Sequence, residues 1–61
     1  MLSQSDVIRH ARQLHEAVGP RAEAIAAQRA AREAAGGHRE GEANWARIRE
    51  VLRQTNGPRQ T

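Results

Sequence analysis

The sequence has no cysteine, lysine, tyrosine or phenylalanine among its 61 residues. Without cysteine the chain has neither disulfides nor thiolate ligands for a metal, and a small domain without disulfides is typical of a reducing compartment, so we expect a cytoplasmic protein. No run approaches the ~18 apolar residues that a membrane span needs. A basic N-terminal segment followed by an apolar stretch is missing too, so we expect neither a transmembrane helix nor a signal peptide.

All of the positive charge comes from arginine. Ten arginines stand against seven acidic residues, which gives a formal net charge of +3. With no lysine or tyrosine to titrate, the sequence pI of 11.4 overstates that charge. The abundance of alanine and arginine is first explained by the base composition of the source genome, and a surface selected to bind a polyanion is the alternative.

The length allows one small domain, residues 1–61. A chain of about 60 residues buries only about 60% of the surface that its unfolded form exposes, so its own core provides marginal stability. We therefore expect a protein partner or a homo-oligomer to supplement this core.

The first predicted helix covers about 5–18. Ser3 and Asp6 have the spacing of a capping box at its start. Its apolar residues follow a 4-3-4 spacing that places them on one face of a helix. They are Val7, Ala11, Leu14 and Val18. Gly19 and Pro20 then indicate a corner between two helices, but Ile25 continues the first stripe if a kinked helix runs through Pro20, and both arrangements stay open.

Helix propensity predicts a second helix over about 20–35, and apolar spacing predicts a third over about 39–54. We expect the small face formed by Ala24, Ala27, Ala31 and Ala34 to receive the ridge of Trp45, Ile48 and Leu52. Gly36 is expected in the left-handed position of the intervening turn. The fold class is therefore all-α, three short helices, in which the second and third form an antiparallel hairpin, with a tail at 55–61.

Several residues around this hairpin occur in a recognisable order. They are Gly19, Ala22-Glu23-Ala24, Ala35-Gly36-Gly37, Ala43, Trp45, Arg47, Ile48 and the terminal Gly57-Pro58-Arg59-Gln60-Thr61. In these residues, over most of its length, the chain resembles a group of short alphaproteobacterial proteins that carry a Trp in their last helix. The resemblance implies a helical fold and no particular activity.

The polar residues do not form a pattern typical of catalysis. His10 and His15 are five residues apart, about 140° around a helix, so they cannot share a metal in the way that an i, i+4 pair can. No carboxylate pair or phosphate-binding glycine loop is present. We expect no enzyme activity, no metal site and no cofactor.

The candidate binding residues are apolar or basic. Trp45 is expected in the hairpin core or at an interface, with Arg49 stacked over its indole. The candidate interface consists of Trp45, Ile48, Arg49, Leu52, Leu14 and Val18. Nucleic-acid binding is the alternative. Its candidate contacts are Arg29, Arg32, Arg47, Arg49 and Arg53. The sequence thus predicts a small non-catalytic protein that acts through protein–protein contact or self-association.

Overall fold

The computed structural model describes residues 2–56, and among these all but five residues are helical. Helix α1 spans Gln4–Val18, a 3₁₀ turn spans Gly19–Arg21, α2 spans Ala22–Ala35 and α3 spans Arg39–Asn56. The described residues contain no strand, which confirms the predicted all-α class. None of the helices within residues 2–56 is both long enough and apolar enough to cross a bilayer.

The predicted cap at the start of α1 is confirmed. Ser3 has an extended backbone, and its Oγ accepts a hydrogen bond of 3.1 Å from the backbone N–H of Asp6. Such a cap stabilises a helix by about 1 kcal/mol because it satisfies a donor that has no partner inside the helix. The Asp6 carboxylate lies 3.5 Å from the Arg9 guanidinium, a pair on the exposed side of the same helix.

The join between α1 and α2 differs from the prediction of three separate short helices. Helical residues continue without a loop from Gln4 to Ala35, so the N-terminal part is one long helical segment with a sharp bend at Gly19–Arg21, where the chain changes direction along α3. Gly19 produces the bend, since its φ of 69° and ψ of −144° lie where a residue with a Cβ is strained. Its N–H still donates to the His15 carbonyl, which satisfies the last turn of α1.

The turn between α2 and α3 is a Schellman motif. The His38 N–H donates to the Glu33 carbonyl at 2.8 Å, and the Gly37 N–H donates to the Ala34 carbonyl at 3.1 Å. Gly37 has the positive φ, 77°, whereas Gly36 remains helical with a φ of −84°. The expectation that Gly36 takes the left-handed position is therefore wrong, because Gly36 keeps helical dihedral angles as the C-cap after Ala35 and the chain reverses at Gly37.

Helices α2 and α3 form the predicted antiparallel hairpin, and its register is symmetric about Gly37. The Glu33 side chain lies against Gly41, and the Arg29 guanidinium lies over the Trp45 ring. The members of each pair are equally distant in sequence from Gly37. The same register places Ala26 opposite Ile48 and Ala22 opposite Leu52, and these four residues belong to one buried cluster.

This register buries a different face of α2 from the one that the sequence predicts. Ala22 and Ala26 have no exposed surface, whereas Ala24, Ala31 and Ala34 are exposed. The predicted large-into-small packing is present, since Ile48 and Leu52 are buried in the same cluster as these small residues. It involves another set of alanines because α2 carries alanine on every side, so composition alone cannot select the packed face.

Helix α1 runs along α3 in the same direction. Its start lies beside the middle of α3, where the Leu2 N–H donates to Asn44 Oδ1 at 3.3 Å. Further along, Ile8 and His15 line a groove with Val51 and Thr55. Val7 and Ala11 of α1 complete the buried cluster, as its apolar spacing predicts.

The C-terminal end of α3 lies beyond the predicted boundary. The helix continues to Asn56, two residues past the expected end at 54, and the Thr55 hydroxyl donates to the Val51 carbonyl at 2.9 Å. Residues 57–61 of the predicted tail lie outside the described part of the chain.

Candidate interaction surface around Trp45

The predicted interface residues separate into core and surface. Ile48 and Leu52 are only 2% and 1% exposed, so in this fold they stabilise the chain and do not present themselves to a partner. Leu14, Val18 and Trp45 are half-buried and pack against the core. Trp45 therefore keeps part of its ring at the surface.

The half-buried indole lies beside residues of both α1 and α2. It forms one wall of a shallow groove whose other residues come from both helices. The groove is lined by His10, Gln13, Leu14, Ala17, Arg29 and Trp45. A second depression touches the same ring, and its lining adds Arg32 and Glu33. We call the six groove residues together with Arg32 the Trp45 surface.

The cation that stacks on the indole comes from the neighbouring helix. The Arg29 guanidinium carbon is 5.2 Å from the centroid of the Trp45 ring, within the range of a cation–π contact. The sequence suggested Arg49 for this position, but Arg49 lines a different groove with Pro20 and Ala24. Arg29 and Trp45 are equally distant in sequence from Gly37, on opposite sides of the turn. This equal spacing is the signal that could have identified Arg29.

The charge of Arg29 and Arg32 is not neutralised within the described chain. Among residues 2–56, the ion pairs join Arg9 to Asp6, His38 to Glu33 and Arg53 to Glu50. Neither Arg29 nor Arg32 lies within ion-pair distance of a carboxylate there. Both side chains are exposed, so the Trp45 surface combines an aromatic ring with two cations that are available to an incoming group.

Two of the five arginines proposed for nucleic-acid binding are held by the protein itself. Arg47 donates to the Leu2 carbonyl at 2.8 Å and to Gln4 Oε1 at 3.2 Å, which fixes the start of α1. Arg53 donates to both carboxylate oxygens of Glu50, at 3.3 and 2.6 Å. These hydrogen bonds lower the pKa of Glu50 and raise that of Arg53. The remaining three arginines divide between two grooves.

The histidines lie in three separate places. His10 belongs to the Trp45 surface, His15 lies in the groove between α1 and α3, and His38 is 3.6 Å from Glu33 at the turn. No cluster of three or more potential metal ligands occurs within residues 2–56.

A feature that the sequence analysis did not select is Ile8. Its side chain is 40% exposed and is the exposed large apolar residue of the described chain. It lies at the groove between α1 and α3, on the flank of α1 away from the Trp45 surface. Its place on the flank of the first stripe was the available signal.

The Trp45 surface is thus the site at which aromatic, apolar and unneutralised basic groups meet. Comparison of the chain with protein-family models, with curated proteins and with solved structures gives no match. The functional proposal therefore depends on the chemistry of this surface.

Proposed function

We propose that this chain is a small non-catalytic binding or accessory protein that docks onto another protein through the Trp45 surface. The observation that carries the proposal is the half-buried indole beneath Arg29, which lies within ion-pair distance of no carboxylate among residues 2–56. Trp and Arg are the residue types most enriched at binding hot spots, because each contributes a large contact area together with directed hydrogen bonds.

The surface area of the folded chain argues against a core shared between two copies. A monomer of 6.8 kDa is expected to expose about 4,000 Å². This chain exposes 4255 Å², close to that value. A second copy is therefore not required to close the core, although self-association remains one outcome of the test below.

The nucleic-acid alternative has less support. Arg47 and Arg53 are engaged within the chain, and one aromatic residue provides no platform for successive bases. We also propose a cytoplasmic location, which the cysteine-free composition supports. Membership of the alphaproteobacterial group that the sequence resembles stays a proposal as well.

Site-specific cross-linking in the source cells tests the docking face. A photoreactive benzoylphenylalanine replaces either Ala17, which lines the groove, or Ala31, an exposed residue on another side of α2. We expect an adduct with a second protein from Ala17 and none from Ala31. An adduct with twice the mass of the chain would instead indicate self-association.

The partner found in this way is then purified and its affinity measured. We expect Trp45→Leu to weaken binding about thirtyfold, the effect of removing a central hot-spot residue, and Ile8→Ala to leave it unchanged. Circular dichroism checks that both variants fold. Three results would exclude this surface as the docking site. They are adducts from both positions, adducts from neither position, and an affinity that Trp45→Leu leaves unchanged.

A further inference from the structure

We infer that the Trp45 surface recognises an acidic helical segment of its protein partner, with a carboxylate at Arg29 and Arg32 and an apolar side chain against Trp45. This inference rests on the proposed function and adds the chemical class of the partner. Three features of the surface carry it.

The first feature is the position of the Arg29 guanidinium over the Trp45 ring. A guanidinium carries its N–H donors in a planar fork that can bind a carboxylate in a bidentate manner. The 5.2 Å contact with Trp45 also restricts the long side chain before binding. Less conformational entropy is lost when a carboxylate arrives, so the bound state is more favourable.

The second feature is a second cation in the depression that touches the ring. Arg32 follows Arg29 by one helical turn, and both line the depression that touches Trp45. Glu33 lies in this depression too, but its carboxylate is directed to the turn, where it lies 3.6 Å from His38 Nδ1 and against Gly41. The two arginines consequently present a positive region to which an acidic side chain is complementary.

The third feature is the apolar part of the groove. Leu14 and Ala17 of α1 lie beside the indole, with His10 and Gln13 at the same groove. A groove between two helices that combines apolar residues with a charged side is suited to an amphipathic helix, whose apolar residues recur on one face. A phosphate backbone would gain nothing from Leu14 and Ala17, which favours a protein segment over a nucleic acid.

Fluorescence titration can test this inference because Trp45 is the single tryptophan and no tyrosine or phenylalanine contributes to the spectrum. The probe is a synthetic amphipathic helical peptide with leucine on one face and glutamate on the other. Matched peptides carry glutamine or lysine in place of glutamate, and a short DNA duplex is the fourth titrant. We expect the glutamate peptide to change the Trp45 emission and to bind at least tenfold more tightly than the glutamine peptide.

Variants of the arginines locate the carboxylate. We expect Arg29→Gln and Arg32→Gln each to weaken the glutamate peptide about tenfold, whereas Arg12→Gln, an exposed arginine on another side of α1, changes it less than twofold. Circular dichroism verifies folding, and the exposure of all three side chains makes unfolding unexpected.

Several results would overturn the inference. They are equal binding of the glutamate and glutamine peptides, no binding of either, stronger binding of the DNA duplex, or equal losses from Arg29→Gln and Arg12→Gln. Cross-linking from Ala17 does not depend on peptide charge. If it identifies a protein partner while the acidic peptide fails, the docking face stands and only the partner class is wrong.

Discussion

The hairpin of α2 and α3 and the attachment of α1 use different means of association. In the hairpin, small side chains of α2 meet large ones of α3 in a register centred on Gly37, so apolar packing continues along the helices. Just before α1, Leu2 accepts a hydrogen bond from Arg47 of α3 and donates one to Asn44 Oδ1, and Val7 and Ala11 of α1 supply buried contacts. The first association closes over a three-residue turn, and the second joins residues more than 40 positions apart.

This difference indicates where the molecule is strongest and where it can open. The hairpin brings together residues that are near in sequence, which costs little loop-closure entropy. Helix α1 contacts α3 less extensively than α2 does, so α1 is expected to open before the hairpin does. Because Leu14 and Ala17 of α1 form part of the Trp45 surface, the less stable region is also part of the proposed binding site.

The largest expected effect comes from removing the hairpin's largest buried side chain. Leu52→Ala should lower the free energy of unfolding by about 2–5 kcal/mol, because it leaves a cavity at a residue that is 1% exposed. Urea denaturation followed by circular dichroism measures the loss. Leu14→Ala, at a half-buried residue of α1, should cost less, and an equal loss at the two positions would contradict the comparison.

The next effect tests which face of α2 is packed. Ala26→Leu adds atoms where no exposed surface remains and should destabilise the chain by about 1–3 kcal/mol. Ala31→Leu is the matched control, since the same substitution at an exposed alanine should change stability by less than about 0.5 kcal/mol. Thermal denaturation of the two variants compares them. A larger loss of stability from Ala31→Leu than from Ala26→Leu would support packing of the alanine face predicted from the sequence.

A smaller effect is expected at the turn that sets the hairpin register. Gly37→Ala should cost about 1 kcal/mol, because a residue with a Cβ is strained at a φ of 77° although nothing lies near the added atom. Gly36→Ala, at a φ of −84°, is the control and should be nearly neutral. Its Cβ would lie 3.2 Å from the ring of His38, an exposed side chain that can rotate away. The urea midpoints of the two variants show which substitution lowers stability more.

An effect of similar size, confined to one region, concerns the attachment of α1. Arg47→Met removes the hydrogen bonds to Leu2 and Gln4 and should lower stability by about 1 kcal/mol. Amide hydrogen exchange should accelerate at the start of α1, including at Val7, and stay unchanged in the hairpin. Arg12→Met, at an exposed arginine of α1, is the control. Equal acceleration in α1 and in the hairpin would show that the two regions open together.

Local features of the sequence predicted the elements well. The Ser3 cap, the interruption at Gly19 and the turn before residue 39 each depend on a few neighbouring residues, and each is present in the structure. The prediction of Gly36 for the left-handed residue is wrong because two glycines follow the helix end at Ala35, and the sequence does not show which of them keeps helical dihedral angles. The sequence predicts Arg49 as the cation over Trp45, whereas the structure has Arg29 there. Spacing within α3 could not identify Arg29, because this residue belongs to α2.

The sequence by itself determined that the chain is helical, where its helices begin and turn, and that Ile48 and Leu52 lie on one apolar face with Trp45, because these properties follow from local propensity and the spacing of large apolar residues. Only the tertiary structure decided which alanines are buried and which arginine covers Trp45. Alanine occurs on every side of α2, so its own pattern favours no face. The large side chains of α3 select the packed face of α2, because the hairpin pairs residues that are equally distant in sequence from Gly37.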